Sequence, residues 1–194
     1  MVKRIVIIQG HPDPKGHRFG HTLEEAYSQG AQNAGHDIQS IHVAKLDFPL
    51  LRTQVDYENS APPEPIRQSQ KIIQSADHLV ILYPLWLGTM PALLKAFFEQ
   101  VFRPGFALEM KGNAFPKKLL KGKSARVIVT MGMPAIAYRY FFRAHGLKNL
   151  ERNILKFSGI YPVHSTIIGG IETPDNSKRE KWLEKIKKLG AECI

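Results

Sequence analysis

The sequence predicts an α/β fold: an open, doubly wound parallel sheet of five strands with helices on both faces, in three layers. Two observations carry that expectation. Five short apolar runs, most of them rich in β-branched residues, alternate with segments whose apolar residues recur at helical spacing. Strands separated by helices imply parallel βαβ units with right-handed crossovers. The 194 residues suit one domain spanning 1–194, and a chain of that length buries about 70% of its unfolded surface unaided by disulfide or metal.

The elements follow in order. Ile5 to Gln9 reads as a strand buried on both faces, β-branched from Ile5 to Ile8 and ended by Gly10-His11-Pro12. After a polar loop from Asp13 to Gly20, residues 22–34 place Leu23, Ala26, Tyr27, Gly30 and Ala31 on one helical face, and Gly35 supplies a stop. Ile38 to Val43 reads as the second strand. A long connection through Leu46–Leu51 and Pro62-Pro63-Glu64-Pro65 leads to a helix opened by Pro65 and running to Ile73. His78 to Tyr83 is the third strand. Pro91 then introduces a helix over 92–102, with Leu93, Leu94, Phe97, Phe98 and Val101 on its broad apolar face. Ala125 to Thr130 is the fourth strand. Tyr138 to Phe157 reads as helical with a break near Gly146, Val163 to Ile168 as the fifth strand, and Pro174 to Leu189 as a charged final helix.

Composition narrows the class. Apolar residues at 43% and charged residues at 23% exclude a disordered, collagen-like or disulfide-built chain. The lone Cys193 has no partner for a disulfide or a thiolate metal site. No run approaches the roughly 18 apolar residues of a membrane span, so the expectation is a cytoplasmic protein with no membrane insertion. Lys plus Arg exceed Asp plus Glu by 27 to 17, a net charge of +10, which favours phosphate-bearing ligands. Without a recognition motif that charge speaks to association and does not make a case for nucleic acid.

In doubly wound sheets ligands bind beyond the carboxyl ends of the strands at the topological switch point, so three loops matter. The first, Gly10 to Thr22, lacks both G-x-G-x-x-G and the P-loop pattern. It combines Lys15 and Arg18 with His11, His17 and His21 ahead of a helix N-terminus, where backbone N–H groups and the helix dipole favour an anion. His17 and His21 are four apart but have no third ligand, so no metal site is expected. The second loop, Tyr83-Pro84-Leu85-Trp86-Leu87-Gly88, is apolar and aromatic where a polar loop is the norm, and suits a flat heterocycle. The third, Thr130-Met131-Gly132-Met133-Pro134, puts a glycine between bulky residues and permits close backbone approach. One cationic and two apolar loops on a single sheet edge fit a phosphate-bearing aromatic cofactor.

The segments His11-Pro12-Asp13-Pro14, Arg18-Phe19, Tyr83-Pro84-Leu85-Trp86, Pro91-Ala92-Leu93-Leu94-Lys95 and Phe102-Arg103-Pro104-Gly105-Phe106-Ala107 resemble the flavodoxin-like NAD(P)H:quinone oxidoreductase family. That family includes DT-diaphorase, the modulator-of-drug-activity reductases and the flavoprotein ancillary subunits of potassium-efflux systems. The resemblance runs from residue 3 to about residue 170 and implies a flavodoxin-like fold, a non-covalent flavin and a homodimer with its sites at the subunit interface. It implies FAD, with FMN as the alternative, NAD(P)H as co-substrate, and two-electron ping-pong reduction of a quinone or similar acceptor. By position, His11, Arg18 and Phe19 match the phosphate loop, Pro84, Leu85, Trp86 and Leu87 the isoalloxazine loop, and Thr130, Met131 and Gly132 the second flavin loop. Tyr138 and His145 lie near the positions of the catalytic Tyr and His that the resemblance implies beside the ring. A flavin-binding regulatory subunit of a membrane transporter is the alternative activity. Two departures stand out: Arg18-Phe19-Gly20 occupies the place in the first loop where Ser-Phe-Asn is usual, and Trp86 comes one place early with Leu87 and Gly88 behind it, which alters the acceptor pocket.

Overall fold

The computed structural model describes residues 1–109, 115–172 and 175–194. Its main sheet has the expected five parallel strands: β1 (Arg4–Gln9), β2 (Asp37–His42), β3 (His78–Pro84), β6 (Ser124–Met131) and β7 (Val163–Gly169). Their spatial order is β2–β1–β3–β6–β7. The chain therefore steps outward from β1 to β2 and returns to the other side of β1 at β3. The loops leaving β1 and β3 consequently diverge and open a crevice between them.

Alternation along the strands sorts the core into two layers. Ile5 and Ile7 of β1 pack with Val80, Leu82 and Ile128 under α1 (Phe19–Asn33) and α6 (Asn176–Glu192). Val6 and Ile8 face the opposite way, with Leu79, Ile81 and Val127, under α3 (Glu64–Ser75) and α4 (Ala92–Val101). Both faces are covered, which is why the central strands read as continuous apolar runs. The helices α1 and α6 meet backbone to backbone at Gly30, where a Cβ would lie 1.8 Å from the Lys187 carbonyl oxygen.

Several boundaries differ from the sequence expectation. Helix α1 begins at Phe19 instead of Thr22, because Phe19 packs on the α1–α6 layer and the His21 ring accepts the Arg18 N–H at 3.4 Å. Within the long connection Thr53 and Asp56 form a reciprocal capping box that starts the short helix α2 (Gln54–Asn59). Strands β4 (Leu108–Glu109) and β5 (Lys117–Lys118) make a small antiparallel pair that no alternation signalled. The expected break in the helical segment from Tyr138 to Phe157 falls at Arg143 and Ala144, both left-handed. A π-helical stretch Ala137–Phe141 precedes it, and α5 (His145–Asn149) and a second π-helical stretch Leu150–Lys156 follow. Helix α6 is capped by Asp175, whose carboxylate accepts the Lys178 N–H at 3.0 Å; Pro174, expected to open it, lies outside the described residues. Among the described residues no helix is long and apolar enough to cross a membrane.

Candidate functional site

The loop after β1 is held by a ladder of side-chain to backbone bonds. Asp13 N–H donates to His11 Nδ1 at 3.0 Å, and Lys15 N–H donates to Asp13 Oδ1 at 3.0 Å. Arg18 Nε donates to Asp13 Oδ2 at 2.8 Å. The amide from Lys15 and the Arg18 guanidinium hold the Asp13 carboxyl below its ordinary value. Burial, with His21 the next cause, holds the His11 imidazole below its own. His11 is therefore neutral at pH 7, and because Nδ1 accepts, its proton sits on Nε2. The ladder delivers the chain to the start of α1, where the amides of Phe19 and Gly20 meet no acceptor among the described residues. Free amides at a helix N-terminus, with Arg18 alongside, are the requirements for holding a phosphate.

The loop after β3 forms a tight hairpin. Trp86 and Thr89 exchange backbone hydrogen bonds of 2.9 and 3.0 Å across Leu87 and Gly88, with φ of 48° and 81°. Positive φ at both central positions is the type I′ geometry, which a leucine adopts only under strain. Trp86 is 50% exposed and stands edge-on to the His11 ring, 6.4 Å between centroids. Leu85 N–H donates to the Thr130 carbonyl at 2.8 Å, tying this loop to the one after β6.

A cleft of about 680 Å³ opens between these loops. His11 and Arg18, Pro84 to Trp86 and Thr130 to Gly132 all line it, so the tertiary fold brings the three expected segments together. Ile171 and Glu172, from the loop after β7, complete the wall and were not singled out from the sequence. The signal available was their place just past the carboxyl end of the fifth strand. The open side of Gly132 faces the Glu172 carboxylate, whose oxygen lies 2.5 Å from where a Cβ would stand.

Four expected residues stand apart from this cleft. Phe19 turns away from it onto the α6 side, with the Arg179 guanidinium 5.7 Å over its ring, so only its backbone faces the loop. Leu87 is fully exposed at the hairpin tip. Tyr138 is 1% exposed, and its hydroxyl accepts the Leu147 N–H at 3.1 Å and lies 3.4 Å from the Gly88 carbonyl, to which it donates. It thereby ties the hairpin tip to α5 and presents no open hydroxyl. Burial raises its pKa, which keeps the phenol neutral. His145 is exposed at the head of α5. Among the described residues no group of three or more His, Cys, Asp or Glu could hold a metal.

The chain is similar to known proteins over most of its length. An uncharacterized NAD(P)H oxidoreductase of Haemophilus influenzae is 27% identical over 183 residues, covering 92% of this chain and 90% of that protein. The ribosyldihydronicotinamide dehydrogenase [quinone] of Mus musculus is 25% identical over 223 residues, covering 98% and 93%. The structure superposes on an NAD(P)H:quinone oxidoreductase from Methanothermobacter marburgensis with TM-score 0.80 and 25% identity, over 98% of each chain. The family model for the flavodoxin-like fold matches residues 3–189, and the chain belongs to that family.

Proposed function

We propose that this protein is a flavin-dependent NAD(P)H oxidoreductase that reduces quinones or similar acceptors by two electrons in ping-pong order. The observation that carries the reading is the cleft at the switch point, which joins Arg18, at the start of α1, to an apolar, aromatic wall. The residues fit a flavin at both ends. The free amides of Phe19 and Gly20, with Arg18, suit its phosphate, while Pro84, Leu85 and Trp86 offer a flat apolar surface edged by backbone polar groups. When bound, the flavin supplies the hydride chemistry, and the chain contributes placement and electrostatics.

The chain's own residues divide that task. Arg18 and the start of α1 bind and orient the phosphate end. Trp86 walls the ring end and excludes water from it. Thr130, Met131 and Gly132 bring backbone to the opposite edge. Tyr138 acts as a positioning residue, fixing the Gly88 carbonyl against α5, and His145, exposed at the head of α5 outside the cleft wall, is assigned to the acceptor side on the family resemblance alone. We assign FAD as the cofactor, with FMN as the alternative, and a cytoplasmic setting. Leu87, Ile136, Tyr140 and Phe141 are exposed apolar side chains in the segments that follow β3 and β6, and they favour a homodimer that covers this face.

Purified protein is expected to show flavin absorbance, to release a flavin on heating that mass spectrometry identifies, and to oxidise NAD(P)H in the presence of menadione. Protein that carries no flavin and binds neither FAD nor FMN when supplied would sink the proposal.

A further inference from the structure

A buried polar network lies on the α1 side of the sheet, beneath the ends of the 11–20 loop, and the reaction above makes no use of it. Gln9, the last residue of β1, is fully buried. Ile5 and Ile7 occupy the same face of the strand, so an apolar residue would be the natural choice there. Instead Gln9 Nε2 donates to Glu24 Oε2 at 3.0 Å and to the Gly20 carbonyl at 3.2 Å, and Oε1 accepts the His11 N–H at 3.2 Å. A carboxylate and a carbonyl only accept, and an amide N–H only donates, so the orientation of the Gln9 amide is unique. Glu24 is itself nearly buried in α1, and its other oxygen lies 3.3 Å from His42 Nε2. His42 ends β2 directly opposite Gln9 in the strand register. These side chains, with His11 and Asp13, wall a cavity of about 290 Å³.

One amide therefore closes the loop at both ends, at His11 where the ladder starts and at Gly20 where the helix has begun. We propose that Gln9, Glu24 and His42 are positioning residues that hold this loop for the phosphate end of the flavin. The proposal rests on the flavin reading above. His42 orients Glu24, Glu24 orients the Gln9 amide, and Gln9 sets the loop. The ring end of the cleft is built by the loops after β3 and β6 and does not depend on this network.

The test is fluorescence titration of flavin-free protein with FMN and with riboflavin, which lacks the phosphate. Gln9→Leu is expected to weaken FMN about tenfold while riboflavin changes by less than about twofold. His42→Phe, at a one-third exposed side chain, is expected to weaken FMN about threefold with the same selectivity, and it decides the matter if Gln9→Leu fails to fold. Equal weakening of both ligands, or no weakening of FMN, overturns the proposal. Hydrogen exchange at the amides of His11, Asp13 and Lys15 in flavin-free protein needs no ligand. Faster exchange there in the variants, with β3 unchanged, supports the network, and unchanged exchange overturns it. Wild-type protein that binds none of FAD, FMN and riboflavin defeats the flavin reading, while the exchange result still decides the network.

Discussion

Leu87 carries two costs at once: a left-handed backbone conformation and a fully exposed apolar side chain. Strain of this kind, roughly 1 kcal/mol or more, persists where the surroundings impose it, often beside functional sites. Leu87→Asn suits the type I′ turn better and is expected to raise stability by about 0.5–1 kcal/mol in urea denaturation. If Leu87 contacts a second copy, the same variant also shifts size-exclusion elution toward the monomer. Glu172 is the other telling residue. Its carboxylate packs on Gly132 with no hydrogen bond or ion pair to other described residues, in a cleft otherwise suited to an anionic ligand. Glu172→Gln is expected to tighten flavin binding about threefold at low salt, with the gain shrinking as salt screens the repulsion. An unchanged dissociation constant at low salt would remove Glu172 from the electrostatics of the site.

At the level of elements, the close meeting of α1 and α6 depends on the missing side chain of Gly30. The obstacle to a Cβ is the Lys187 backbone, which cannot swing aside as a flexible side chain would. Gly30→Ala is expected to cost about 3 kcal/mol in chemical denaturation, although alanine is the better helix former. A neutral or stabilising result would mean the two helices separate at little cost. The hairpin after β3 and helix α5 form another coupled pair, joined by the Tyr138 hydroxyl between Gly88 and Leu147. A phenol expected to face the ring thus serves to register one loop against another. The helical pattern around it showed a chain that returns to the sheet, but not the left-handed pair Arg143–Ala144 that turns it.

For the molecule as a whole, acid stability turns on His78 at the amino-terminal end of β3. It is 1% exposed, with Nδ1 2.7 Å from the Ser124 hydroxyl, and burial, with Arg126 next, brings its pKa down to about 4. The unfolded chain binds a proton there near pH 6.5 and the folded chain does not, so stability is full above that value and falls as pH drops toward 4. The loss is on the order of 3 kcal/mol by pH 4, and His78→Asn is expected to flatten that part of the profile in denaturation between pH 7 and 4.5. The sequence by itself determined the five-strand alternation, the layers and the three loops that meet at the cleft. Each of those is a local pattern: β-branched runs, helical spacing, and Gly or Pro at the ends of strands. The long connection hid α2, because a capping box of two residues is a weak signal among prolines. Only the tertiary structure decided that Phe19 turns to α6, that Tyr138 is consumed by two backbone groups, that Glu172 enters the cleft and that Gln9 holds both ends of the 11–20 loop. Those outcomes depend on which side chains distant segments bring within hydrogen-bonding reach, and spacing along the chain carries no record of that.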